Sequence, residues 1–218
     1  MPESKRFSLP RLILCEGPED KAFLHAFIAY HDLPKCHIRH TGGRDPNKAG
    51  NTRFGTALRG FRTDSSFSCI KKILLVSDND ANQSDQFTFV SKQVNDAKFI
   101  APAEMLKASK NSPPITIMMI PVENIPGNLE HICIEAARNC DKLLADRVDK
   151  FLEEIRADRW EPQKRSKLWL RVMLSAAHKP DPFIFLGSVF RNDELRHLIP
   201  FDEAFFREVK SALETFLA

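Results

Sequence analysis

The chain predicts an α/β protein with a mainly parallel sheet flanked by helices, on three observations. Apolar runs of strand length recur along its first part, helical patterns lie between them, and each run closes on acidic or turn residues. Strands that alternate with helices form parallel sheets covered on both faces. The later part of the chain reads as helical, an extension packed on that core.

The first run, Leu12–Cys15, reads as a buried strand and meets Glu16. Pro18 stands where a helix begins, and Ala22, Phe23, Phe27 and Ile28 continue at helical spacing over Lys21–His31. A weaker strand candidate, Cys36–Thr41, follows, then a weak helical pattern over Asn51–Phe61. Ile73–Ser77 is the most convincing strand, Gln83–Asn95 the next helix, and Ile115–Pro121 the last strand. After Pro126 helical patterns cover Asn128–Ala137, Asp141–Trp160, Lys164–His178 and Asp202–Leu217, with "HKPDPF" at 178–183 as a breaker. The expectation is an α/β core over 1–125 and a helical part over 126–218, together one compact unit.

A chain of 218 residues, 43% hydrophobic and 28% charged, can bury a sizeable core. A formal charge of +3 is too small to argue for nucleic acid by itself, so the distribution of charge matters more. The five cysteines, Cys15, Cys36, Cys69, Cys133 and Cys140, lack metal-type spacing. Cys15 and Cys133 sit in apolar runs and read as reduced core thiols, as in cytosol. The seven histidines show no paired metal spacing. The apolar run before Glu16 is too short for a signal peptide, and no segment approaches the ~20 apolar residues of a membrane span. A soluble cytoplasmic protein is expected.

The segment 39–62 stands apart: it holds five of the eight glycines and six Lys/Arg against one acid, Asp45. Glycines allow a ligand close to the backbone, and interspersed Arg and Lys suit phosphate oxygens. Gly42, Gly43, Arg44 and Arg53 are the candidate substrate-binding residues here. A solvated loop is the competing reading. A P-loop is excluded, because its Gly-Lys-Ser/Thr ending is missing.

Acids gather where the strands end. Asp78 and Asp80 follow the strand Ile73–Ser77, and residues i and i+2 of an extended chain project to one side. Two such carboxylates can share a hard cation such as Mg²⁺, whereas without one they repel and one tends to stay protonated. The last strand leads to Glu123 and to Glu130 in a first helical turn. In open parallel sheets, the carboxyl ends of the strands are where ligands bind. Helix chemistry competes for some of these acids: the macrodipole accounts for Glu19, competes for Asp20, and extends to Glu130 as a capping-type residue. Glu16, which precedes the helix, escapes that account best.

"LILCEGPEDKAFL" followed about sixty residues later by "ILLVSDNDA" resembles a TOPRIM domain, the metal-binding fold of topoisomerases and bacterial primases. The nearest version is that of the overcoming-lysogenization-defect nucleases and their small stand-alone relatives. Their Glu-x-x-x-Asp is matched by Glu16 and Asp20, their Asp-x-Asp by Asp78 and Asp80, and their Gly-x-x-Glu by Gly127 and Glu130. The stand-alone relatives also carry a glycine pair after the second strand, like Gly42-Gly43, and a tail ending like Phe216-Leu217. The match covers residues 11 to about 135 by motif. One departure is Gln83, where topoisomerases and primases usually carry glycine. The single tyrosine, Tyr30, lies inside the first helix and disfavours a strand-passing role.

The resemblance implies a TOPRIM-like, Rossmann-like fold and Mg²⁺- or Mn²⁺-dependent hydrolysis of nucleic-acid phosphodiesters, DNA in preference to RNA. Asp20, Asp78, Asp80 and Glu130 would hold the cation, with Glu16 a further ligand or the general acid or base. The nucleases also use a lysine from beyond the acidic motifs. "QKRSKLWLRVM" supplies Lys164, Arg165, Lys167 and Arg171, of which Lys167 is assigned that role. No ATPase motif is present, so a motor would be a separate partner chain; a homodimer is also allowed, and no membrane partner is expected. The principal rival is a module of the same fold that binds metal, nucleotide or nucleic acid without cutting. A receiver-type signalling domain and a dehalogenase-type phosphatase fit less well, because both want their acids on other strands.

Overall fold

The computed structural model describes residues 6–42, 53–110 and 112–218. Gly43, Arg44 and Asp45, with the rest of 43–52 in the basic glycine-rich segment, lie outside them. Four strands form the sheet: β1 (Arg11–Cys15), β2 (His37–His40), β3 (Lys72–Asp78) and β4 (Ile115–Ile120). Their order is β2-β1-β3-β4, and every pairing is parallel. The weak strand candidate at 36–41 is therefore an edge strand, and the three apolar runs are the other three strands.

Between them run α1 (Pro18–Tyr30), α2 (Phe54–Arg62) and α3 (Gln83–Asp96). Then come α4 (Leu129–Cys140), α5 (Lys142–Glu154), α6 (Pro162–Ala177), α7 (Leu186–Arg191) and α8 (Arg207–Leu217). The predicted helix from Asp141 to Trp160 stops at Glu154. Arg156 takes a left-handed backbone, φ 54 and ψ 43, and Ala157–Arg159 follow as a single 3₁₀ turn. The stretch predicted as helix from Asp202 likewise begins its regular turns only at Arg207, after a 3₁₀ turn over Ala204–Phe206. Helix α7 carries too few residues to display a period and was not foreseen.

Alternation along the strands divides the interior into two layers, as a sheet buried on both faces requires. Ile13, Cys15, Leu74, Val76, Met118 and Ile120 point into one layer. Leu12, Leu14, Ile73, Leu75, Ile117 and Met119 point into the other, against α2 and α3. The first layer is covered by α1 and by the helices after residue 126, so residues from both parts of the chain share one apolar cluster. Phe23 and Phe27 of α1 centre it. Phe23 packs its ring 5.4 Å from Phe190 and 5.7 Å from Phe201, and Phe27 lies 5.1 Å from Phe201. Both are fully buried, so truncating either to alanine would cost about 3–5 kcal/mol. No helix of the described residues is long and apolar enough to cross a membrane.

The strand order has a functional consequence. From β1 the chain moves to one side to form β2, then crosses to the other side to form β3 and β4. The reversal opens a crevice outside the carboxyl ends of β1 and β3, the position where open α/β sheets take ligands. Glu16 and Asp78 stand at those two ends.

Candidate functional site

Glu16 follows the last residue of β1 and bridges the crevice. Its Oε1 accepts hydrogen bonds from the Ser77 hydroxyl and from the Asp78 N–H, the latter at 3.0 Å. On its other side the Thr41 hydroxyl donates to the Glu16 carbonyl at 2.9 Å. The side chain is thus pinned to β3 and its backbone to the end of β2.

Gly17, in extended backbone at φ −126 and ψ 176, caps α1. Its N–H donates to Asp20 Oδ2 at 2.7 Å. Asp20 therefore does the helix-start work that the sequence allowed for it, and it also lines the crevice. The two roles coincide because the third residue of a helix that starts at this edge must face back across the edge.

Asp78 ends β3, and its Oδ1 accepts the Leu129 N–H at 3.1 Å. Leu129 opens α4, whose cap Asn128 accepts the His131 N–H at 3.1 Å. Two helix N-termini, those of α1 and α4, thus converge on the acids, and their partial positive charge favours anions there. Glu130 follows in the first turn of α4, buried at 7% exposure, with Lys167 Nζ 3.6 Å from its Oε1. Glu16, Glu19, Asp20, Asp78 and Glu130 line one cavity of about 360 Å³, and Lys167 is the basic residue among its walls.

The electrostatics follow from that count. Burial pushes the Asp20 carboxyl up to about 7, and the neighbouring Glu16 and Glu130 add to the rise. Burial raises Asp78 well above the usual carboxylate range, with Asp20, Glu16 and Glu130 contributing. Glu130 is also raised by burial, with Lys167 opposing. Lys167 in turn is raised, chiefly by Glu130. These carboxylates repel one another in a medium that screens them poorly, so each holds its proton longer.

Asp80 is placed differently. It lies past the end of β3 at φ 49, and its carbonyl accepts the Gly127 N–H at 2.9 Å in an isolated bridge. Its Oδ2 accepts from Gln86 Nε2 at 2.8 Å, and Gln163 Nε2 donates to Oδ1. The same-side projection expected of residues i and i+2 applies within a strand, and the left-handed turn breaks it here. Asp80 is raised by burial, with Lys167 opposing, so it stays within the field of the crevice without lining it.

Of the basic loop, Gly42 sits in the turn after β2 and Arg53 immediately before α2. Neither lines the acidic cavity.

Four polar residues hold this edge together without having been assigned a role from the sequence. Asn79, wholly buried between the two aspartates, donates through Nδ2 to the carbonyls of Pro121 at 2.6 Å and Ile125 at 2.7 Å. Gln83 Nε2 donates to the carbonyls of Val122 at 3.2 Å and Glu123 at 3.1 Å. Together they fasten the loop between β4 and α4, which carries Gly127. Ser77 aims Glu16, and Gln163 holds Asp80. The available signal for Gln83 was its place where related folds carry glycine.

Whether these residues suit a divalent cation can be tested on their chemistry. The donors are all carboxylate oxygens, which hard cations such as Mg²⁺ prefer, and their buried charge exceeds what Lys167 balances. Among the described residues no three His, Cys, Asp or Glu side chains stand in ligating geometry, so the acids form a convergent cluster and not a closed cage. The donor set fits the group by its oxygen chemistry.

Fold and site together define an α/β protein of the open parallel-sheet class with an acid-lined crevice at its switch point. Residues 10–216 match the family described as a protein of unknown function, DUF3226, and the chain belongs to that family. No curated protein matches the chain. No solved structure matches it either.

Proposed function

We propose that this protein hydrolyses phosphodiester bonds of nucleic acid, DNA in preference to RNA, with Mg²⁺ or Mn²⁺ held at the switch-point crevice. One observation carries the reading: five carboxylates surround a single cavity, at the ligand edge of the sheet, with one lysine among them. Buried charge of one sign is stable only when protonated or neutralised by a cation. The resemblance to TOPRIM nucleases supports the same reading independently, since its motif acids fall on this edge.

Asp20, Asp78 and Glu130 are the residues that would hold the cation, with Glu16 beside them and Asp80 as the outer member. A bound divalent cation supplies a Lewis acid for the scissile phosphate and a hydroxide at neutral pH. Glu16, fastened to Ser77 and to the Asp78 N–H, keeps a fixed carboxylate at the crevice for proton transfer. Lys167 stands where an ammonium can stabilise charge building on phosphate oxygens, and its raised affinity for the proton keeps it charged for that task. The helix N-termini of α1 and α4 favour the anion in the same place.

A cytoplasmic setting belongs to the proposal, supported by five free thiols, which suit a reducing compartment. A separate ATPase partner and a homodimer are carried over from the resemblance alone. A second reading, binding without cutting, draws on the Lys167–Glu130 ion pair, which already engages one of the acids. Nicking of supercoiled plasmid with Mg²⁺ or Mn²⁺ decides between them. The wild type should convert it to open circles, and Asp78→Ala should slow this by at least about 100-fold, the scale of losing one strong electrostatic contribution to the transition state. Equal nicking by both proteins rejects hydrolysis at this site, and no nicking by either favours the binding module.

A further inference from the structure

Helix α6 presents Gln163, Lys167 and Arg171 at intervals of four residues, one stripe along its length. Gln163 reaches Asp80, Lys167 reaches Glu130, and Arg171 lies beyond the acids. There a second, smaller hollow of roughly 70 Å³ shares Glu19, Glu130 and Lys167 with the acidic cavity and continues to Arg171 and Phe185. The two hollows form one path.

The far end of that path carries Arg171 and Phe185, and Phe183 stands two residues before Phe185 in the chain. Phe183 is 80% exposed and Phe185 51%, while Ile184 between them is buried at 4% and anchors the segment. Apolar ring surface left in water forgoes the stabilisation that burial would return. The Arg171 guanidinium lies 5.2 Å from the centre of the Phe185 ring. Other stacked arginines in this protein are tied down: Arg138 by Asp149, Arg196 by Asp193, and Arg62 by the carbonyls of Ala97 and Lys98. Arg171 has no ion-pair or hydrogen-bond partner among the described residues. It is a guanidinium held in place by a ring, with its donors left for a ligand.

We propose that Phe183, Phe185 and Arg171 form a base-stacking wall that receives a single-stranded stretch of nucleic acid and leads it to the acidic edge. An unpaired base exposes the π-face that a phenylalanine ring can cover, whereas a base within a duplex does not. Arg171 would take the adjoining phosphate, a pairing that its planar fork of donors suits. The arrangement deepens the nucleic-acid reading of this site and rests on it, but it does not depend on cleavage.

The test is fluorescence anisotropy in EDTA, and again in Ca²⁺, with three labelled probes of one length: a thymidine strand, the same strand with abasic sugars, and a duplex. The thymidine strand should bind more tightly than either of the others. Phe183→Ala and Phe185→Ala should each weaken it about fivefold or more, the lower end of the stacking contribution of ~1–3 kcal/mol per base. Phe185→Trp should retain binding, and unchanged thermal melting of these exposed variants checks their folding. Arg171→Ala should weaken both single strands and lower the slope of log affinity against log salt by about 1. Equal affinity for thymidine and abasic strands, tighter binding of the duplex, or no binding of any probe overturns the proposal. So does a change of self-association on sedimentation with strand affinity intact, which would make the rings a protein contact. Plasmid nicking that needs Asp78 but ignores the rings would reject the wall alone, and a strand bound but never cut would reject hydrolysis alone.

Discussion

The carboxyl edge of the sheet has two halves that are built in opposite ways. Between β1 and β3, carboxylates dominate: Glu16, Asp20, Asp78 and Glu130 face a shared cavity with repulsion that burial intensifies. Between β3 and β4, amides dominate: Asn79 and Gln83 fill the gap and spend their N–H groups on loop carbonyls, while Gln86 and Gln163 hold Asp80. The amide half meets the hydrogen-bonding needs of its buried backbone. The carboxylate half leaves charge unbalanced. Buried carboxylates that repel one another cost stability, and such clusters mark candidate functional sites. The adjacent amide half fastens the loop that leads into α4, the helix that carries Glu130.

That contrast can be broken most forcefully in the amide half. Asn79→Leu removes three hydrogen bonds, to the carbonyls of Pro121, Glu123 and Ile125, at about 1 kcal/mol for each, although Gln83 still reaches the first two. Thermal melting should show a fall of roughly 2–4 °C per kcal/mol for a chain of this size. A melting temperature equal to the wild type's would mean that the latch does not hold the loop.

In the carboxylate half the sign reverses, because a cation should add stability. At a concentration about 100 times its dissociation constant, Mg²⁺ or Mn²⁺ should raise stability by about 2.7 kcal/mol, read as a rise in melting temperature. Asp78→Asn should abolish that rise. Its persistence in the variant would locate the cation elsewhere.

Ser77→Ala is a finer probe, since Ser77 touches the candidate site only through Glu16. Loss of such a supporting hydrogen bond should weaken the divalent cation by about 10–100-fold in calorimetric titration, with the fold retained. Unchanged affinity would show that Glu16 needs no such aiming.

The pH dependence of the cation-free protein is a separate test, because it needs no ligand. Asp20, pushed up to about 7 by burial from an ordinary value of 3.8, holds its proton more strongly in the folded chain than in the unfolded one. The resulting stability is complete below pH 3.8 and is lost as pH rises through about 7. Melts across that window should show wild-type stability declining on its upper side, with a flatter profile for Asp20→Asn. A wild-type profile that rises with pH instead would contradict the buried, repelling cluster.

Much of this edge was legible in the residues. Leu12–Cys15, Ile73–Ser77 and Ile115–Pro121 announced themselves because a strand buried on both faces must be apolar at successive positions. The acids closing the first two runs, and Glu130 in a helix's first turn, follow from the same reading, as they are local to strand ends and helix starts. Asp20 was visible as an ambiguity between helix start and site, and it stands at a helix start that also lines the cavity. Less was legible where long-range contact decides. Asp78 and Asp80 look equivalent in "SDND", yet the Asp80–Gly127 bridge, made 47 positions apart in sequence, turns one away from the cavity. Asn79 and Gln83 read as turn and helix-start residues because their partners lie on a loop some forty residues on.

Local chemistry along the chain therefore settled the α/β class, the strands, and the acidic character of the sheet's carboxyl edge, since periodicity and end signals are short-range. The order β2-β1-β3-β4, the pairing of Lys167 with Glu130, and the placing of Arg171 on Phe185 came only with the folded chain. Each of these depends on which apolar faces bury against one another, and burial brings together residues that no spacing rule connects.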